Sequence, residues 1–154
     1  MKNLCLFAAL LMVAATSALA QNIVASDPAG LAAALQGLGY KAELTKDDAG
    51  DPKIRSASGG ANFSIFFYGC VENKNCDAIS FSAGFDLTDG STLPLMNDWN
   101  LKRRYTKAYL DDESDPSIDM DIYLTGGGIS VDNLRSWMET WDRALGDFKT
   151  HINF

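Results

Sequence analysis

Two β-prone, aromatic-rich runs, Phe63 to Cys70 and Cys76 to Phe85, flank the polar loop Val71-Glu72-Asn73-Lys74-Asn75. They limit the possible folds of this chain more than any other feature. Runs of this composition on either side of a short polar loop read as a β-hairpin. Setting Cys70 opposite Cys76 places Phe67 opposite Ile79, Ile65 opposite Phe81 and Phe63 opposite Ala83. One face of the hairpin is then continuously apolar, as a core-facing strand pair requires, because a slip of one residue would turn every apolar side chain outward. Thiol pairing and hydrophobic patterning thus select the same register. A two-thiol C-x5-C pair would leave zinc short of ligands, and the single histidine, His151, lies near the C-terminus, so a Cys70–Cys76 disulfide is the better reading.

The rest of the chain supplies what such a hairpin needs to be covered. Asp27 and Pro28 open a helix carrying Leu31, Ala34, Leu35 and Leu38 at helical spacing, with Gly37 and Gly39 as its stop. Tyr40 to Thr45 alternates as a strand, and a turn over residues 46–52 leads into a weak strand from Lys53 to Ser58. A short helix begun by Thr92 and Pro94 is expected within Leu93 to Lys102. Arg104 to Leu110 and Ile118 to Thr125 form a second hairpin around an acidic loop, Asp111 to Ser117. Pairing Leu110 with Ile118 there sets Lys107 against Asp121 and Tyr105 against Tyr123. Ser130 caps a long final helix whose stripe is Leu134, Trp137, Met138, Trp141, Leu145, Phe148 and Ile152. The order is α-β-β-β-β-α-β-β-α, an α+β class, with the second strand the weakest.

At 154 residues the chain has room for one domain with a substantial core. The first twenty residues read as a cleaved signal peptide. Lys2 precedes an apolar run from Leu4 to Ala15, and Ala18-Leu19-Ala20 gives the small-x-small cleavage pattern. Residues 21–154 then form the domain, exported to the periplasm or secreted. Cys5 leaves with the leader, so the remaining two cysteines suit an oxidising compartment. The net charge of −7 argues against nucleic acid and anionic lipid as general partners. No membrane anchor is expected after cleavage.

No catalytic or metal-binding constellation emerges. An EF-hand beginning at Asp111 would need Gly and Glu where Pro116 and Ile122 stand. Gly126-Gly127-Gly128 precedes a helix without the Lys and Ser/Thr of a phosphate-binding loop, and a strand-to-helix corner accounts for it. A Ser–His pair would have to recruit His151, and the carboxylates fall on turns rather than in an apolar pocket. No cofactor and no enzyme activity are therefore expected. The feature that points to function is aromatic. Phe66 and Tyr68 oppose the inward face of the first hairpin, and Tyr105, Tyr109 and Tyr123 oppose that of the second. Together they are a candidate contact face for another protein or for a second copy in a homodimer. The alternative is a small-ligand receptor or enzyme with a pocket between the sheet and the C-terminal helix.

Several segments also resemble one known family. Trp99-Asn100 precedes the Arg104-Tyr105 run, and Phe67-Tyr68-Gly69-Cys70, Ile79-Ser80-Phe81-Ser82-Ala83-Gly84-Phe85 and Leu124-Thr125-Gly126-Gly127-Gly128-Ile129-Ser130 recur in the same order. This pattern resembles the YbjN family of bacterial proteins, over most of the chain beyond the leader. The resemblance implies helices on one face of an antiparallel sheet, similar to type III secretion chaperones. It also implies a role labelled as regulation of sensory transduction, with no agreed reaction. Trp99, Asn100 and Arg104 are read as structural: Trp99 anchoring the short helix, Asn100 satisfying backbone groups at its end, and Arg104 pairing with a carboxylate. The export leader and the cysteine pair set this chain apart from a cytoplasmic chaperone.

Overall fold

The computed structural model describes residues 22–154. The expected leader and its cleavage site lie outside these residues. The elements are α1 (Pro28–Gly37), β1 (Glu43–Lys46), β2 (Pro52–Ser58), β3 (Ala61–Tyr68), β4 (Ala78–Gly84), α2 (Leu93–Lys102), β5 (Lys107–Leu110), β6 (Pro116–Tyr123) and α3 (Val131–His151). The strands form one six-stranded antiparallel sheet in the order β1-β2-β3-β4-β6-β5. The element order is the expected one, and the fold is α+β.

Local chemistry accounts for the boundaries. Asp27 caps α1 by accepting from the Gly30 amide at 2.9 Å, and Pro28 occupies the first turn. Ser130 caps α3 by accepting from the Asn133 amide at 3.1 Å. The second strand, weak by its side chains, is a full seven residues because its turn is strong. Gly59 and Gly60 both take positive φ, at 58° and 74°, and close a two-residue hairpin that pairs Ser58 with Ala61. β3 and β4 pair in the expected register, with Ile65 opposite Phe81 and Phe67 opposite Ile79. Cys70 and Cys76 are joined just beyond the end of that ladder.

The second hairpin departs from expectation by two residues. Leu110 pairs with Pro116, Ala108 with Ile118 and Lys107 with Asp119, so Lys107 does not oppose Asp121. The cause is Asp111. Its carboxylate accepts from the amides of Glu113 and Asp115 at 3.0 and 2.8 Å, and its own amide donates to the Asp115 carbonyl, which tightens the loop. A slip of two preserves the faces, so Ile118, Met120 and Ile122 still point inward and are buried.

Tyr105 does not pair with Tyr123. The chain turns at Tyr105 with φ 69°, and β5 begins only at Lys107. The Tyr105 ring instead meets Trp137 of α3 edge-on, 5.6 Å between centroids. Trp137 is partly buried. The remainder of the α3 stripe, Leu134, Met138, Trp141, Leu145 and Phe148, is buried.

All three helices contribute to one core with the inward-facing strand residues. Leu31 and Leu35 come from α1, Met96 and Trp99 from α2, and the α3 stripe completes the layer. The Trp141 ring lies 5.7 Å from that of Phe63 and 5.6 Å from that of Phe81. Aromatic side chains thus fill the space between sheet and α3, where the alternative reading would have placed a pocket.

Candidate functional site

The face of the sheet away from this core is built from every second residue of the same strands. The register fixes its rows. Glu43, Arg55, Ser64, Ser82, Asp119 and Lys107 lie side by side across all six strands. In the next row Thr45, Lys53, Phe66, Ser80 and Asp121 cross five strands. A third row runs Tyr68, Ala78 and Tyr123. The middle of this face is therefore low, with Ser80, Ser82 and Ala78 on β4, while β2 is basic and β6 acidic.

Aromatic groups stand above this floor. Tyr68 is 55% exposed, Tyr109 40% and Tyr123 70%. Phe66 is partly covered by Lys53, whose ammonium sits 4.5 Å from the ring centroid. Tyr109 donates to Asp119 at 3.3 Å. Partial burial, then the charges of Asp119 and Asp121, push the Tyr68 hydroxyl above its ordinary pKa. Burial followed by Asp119 does the same for Tyr109. Both phenols therefore keep their protons to a higher pH than a free tyrosine does. Burial works against the charge of Lys107, but Asp121 and Asp119 outweigh it and raise its pKa, with Nζ 3.4 and 3.5 Å from their carboxylates.

Of the five aromatic residues expected on a contact face, the structure brings Phe66, Tyr68, Tyr109 and Tyr123 onto this one. Tyr105 lies on the helix side, for the reason given above. The charge division between β2 and β6 and the small central floor were not anticipated. Their sequence signal is the i, i+2 spacing of Lys53 with Arg55, of Asp119 with Asp121, and of Ser80 with Ser82.

The Trp-Asn segment is structural in a more specific way than expected. Trp99 is buried and donates from Nε1 to the Thr106 hydroxyl at 3.1 Å. Asn100 does not serve the end of its own helix. Its side-chain oxygen accepts from the Ala108 amide at 2.7 Å, and its nitrogen donates to the Ala108 carbonyl at 2.9 Å. It therefore occupies the free edge of β5 as a neighbouring strand would, which blocks edge-to-edge pairing there. Arg104 has no carboxylate within 4.0 Å among the described residues. The ion pair belongs to Arg103, 3.0 Å from Asp147, with its guanidinium 5.1 Å from the centre of the Trp99 ring. Lys102, Arg103 and Arg104 line a groove of about 350 Å³ between the end of α2 and α3, where Asp147 pairs with Arg103 from within and Asp98 pairs with Lys102.

The other sequence candidates have local duties. Asp111 organises its own loop, and Asp115 accepts from the Leu87 amide at 2.9 Å. A side chain at Gly128 would collide with the carbonyl of Ile23, which exchanges two backbone hydrogen bonds with Ile129. His151 lies within hydrogen-bonding distance of the Leu95 carbonyl, 2.9 Å, beside Trp99.

A family model, YbjN, described as "Putative bacterial sensory transduction regulator", matches residues 27–154. No curated protein and no solved structure matches the chain.

Proposed function

The chain belongs to the YbjN family, and from that premise we propose that it is an exported regulator that works by contact, holding a protein on the open face of its sheet, without catalysis. The carrying observation is a six-stranded sheet with helices packed on one face only and Tyr68, Tyr109 and Tyr123 projecting from the other. Tyrosines are over-represented where protein interfaces concentrate binding energy, because a large rigid ring and one hydroxyl bind at low entropic cost. Export is supported by the Lys2-to-Ala20 leader pattern and by the Cys70–Cys76 disulfide, which suits an oxidising compartment. A contact role also accords with the local duties of Asp111, Asp115 and His151, whose side chains lie within hydrogen-bonding distance of backbone groups.

The test is site-specific photo-crosslinking in cells producing the full chain. A crosslinker at Tyr123 should give protein adducts, and one at Leu101, exposed on α2, should give none. The double substitution Tyr68→Ser, Tyr109→Ser should abolish the Tyr123 adducts while leaving the denaturation midpoint nearly unchanged. Adducts from Leu101 alone would place the contact on the helix side and overturn the reading.

A further inference from the structure

We infer that the occupant of the open face is a second copy of this chain, packed face to face about a twofold axis running along the strands between β3 and β4. The inference rests on the contact reading above and specifies its partner. The sheet has six strands in the order β1-β2-β3-β4-β6-β5, so its middle falls between β3 and β4. Such an axis lays β2 of one copy over β6 of the other, β1 over β5 and β3 over β4. An isologous contact requires that the surface be complementary to itself under this exchange.

The register meets that requirement row by row. In the first row Arg55 meets the partner copy's Asp119, and Glu43 meets its Lys107. In the second row Lys53 meets Asp121. Each charged pair is of opposite sign. Size is matched as well as charge. Phe66 on β3 falls over Ser80 on β4, and Tyr68 over Ala78, so each large side chain meets a small one. The other in-plane axis, across the strands, would lay β2 on β2 and β6 on β6, setting Lys53 and Arg55 against each other and Asp119 against Asp121. That arrangement sets like charges together on both β2 and β6.

Two further observations agree. Lys53 and Arg55 have no carboxylate within 4.0 Å among the described residues, whereas Asp119 and Asp121 share the single cation Lys107. Each half of the face therefore carries unmatched charge of the sign that the other half needs. The area is also adequate. Six strands of four to eight residues, spaced by ~4.8 Å and rising ~3.3 Å per residue, give a face of roughly 600 Å². Standard interfaces bury about 600–1,000 Å² per partner, so this face reaches the lower end of that range.

The experiment is sedimentation of the mature, disulfide-bonded protein and of charge-reversed variants, each checked for folding by circular dichroism. The wild type should be a dimer at micromolar concentration. Lys53→Glu alone and Asp121→Lys alone should each weaken self-association by roughly a hundredfold, since each homodimer then holds two like-charge contacts. An equimolar mixture of the two should recover a heterodimer, because every contact in it is again of opposite sign. Arg55→Glu mixed with Asp119→Lys repeats the test in the first row and remains informative should either second-row variant misfold. A monomeric wild type, variants that dimerise unchanged, or a mixture that stays monomeric would overturn the inference. Monomeric wild type with Tyr123 adducts to other proteins would remove the second copy but keep the contact role. A dimer insensitive to every substitution on this face, with Tyr123 silent, would remove both.

Discussion

The two faces of the sheet are made by the same strands and differ in almost every property. On the covered face β3 and β4 present Phe63, Ile65, Phe67, Ile79 and Phe81, all buried against the helices. On the open face the same strands present Ser64, Phe66, Tyr68, Ala78, Ser80 and Ser82. The covered face is saturated with apolar volume. The open face has a low centre, opposed charges on its flanks and tyrosines at its margin. A surface selected only for solubility has no need of such a division, which is the ground for proposing that the contact is made on the side opposite the core.

The largest expected effect tests the covered side. Trp141 is fully buried at the centre of α3, between Phe63 and Phe81. Trp141→Ala should cost about 3–5 kcal/mol in denaturant unfolding, the usual cost of emptying a large aromatic site. Tyr123→Ser, on the open side, should change stability by less than about 0.5 kcal/mol. Similar losses from the two would erase the distinction between the faces. Trp141→Phe sharpens it: the Trp141 indole N–H is buried without a hydrogen-bond partner among the described residues, so losing it should be far less costly than losing the ring.

The next effect concerns how the sheet edge is kept from competing with the open face. Asn100→Ala removes both bonds to Ala108 and leaves a backbone N–H and C=O unpaired. A loss of about 1–3 kcal/mol is expected, with faster hydrogen exchange at the Ala108 amide. The same variant should aggregate through β5, whereas open-face variants should not. Unchanged exchange at Ala108 would mean that the edge is guarded by something other than Asn100.

What could be read from the sequence follows the same division. The covered face was legible because hydrophobic alternation and the cysteine pair both fix the β3–β4 register, and because the α3 stripe repeats over five turns. The slip in the second hairpin was not, since Asp111 holds its loop through backbone bonds that no periodicity records. Alternation alone places Tyr105 on a strand, and only its positive φ and its contact with Trp137 remove it. The charge division of the open face needs the complete strand order, which brings Lys53 and Asp121 onto one row although β3, β4, α2 and β5 lie between them in the chain. Pairing across six strands is non-local information. Spacing along one strand does not contain it.

Loss of the disulfide should have a smaller effect and should act on both faces alike. Cys70 and Cys76 close a short loop just past the last β3–β4 pair, Tyr68 with Ala78. Replacing both with Ser should cost about 2 kcal/mol by the chain-entropy argument. Thiol labelling of the denatured, unreduced mature protein should find no free cysteine. Two labelled thiols would mean that the hairpin is held by its aromatic pairs alone.

The smallest effect separates tyrosines of the two sides by pH. Tyr40 donates to Asp142 of α3 at 2.7 Å, and Ser58 donates to the other oxygen of the same carboxylate at 2.6 Å. Burial, then that hydrogen bond and the charge of Asp142, push the Tyr40 pKa up to about 12 from its ordinary 10.0. A raised pKa means that the folded chain holds this proton more tightly than the unfolded chain does. Its contribution is therefore fully present below pH 10 and is lost as the pH rises from 10 toward about 12. Tyr40→Phe should lower stability at neutral pH and flatten the alkaline loss over that interval. Tyr68→Phe on the open face, where the hydroxyl is raised but has no direct carboxylate partner among the described residues, should flatten it less. Denaturation midpoints of the three proteins across the alkaline range decide this. Equal slopes for wild type and Tyr40→Phe would show that the Tyr40–Asp142 bond does not persist in solution and that α3 is held to β2 by Ser58 and apolar packing alone.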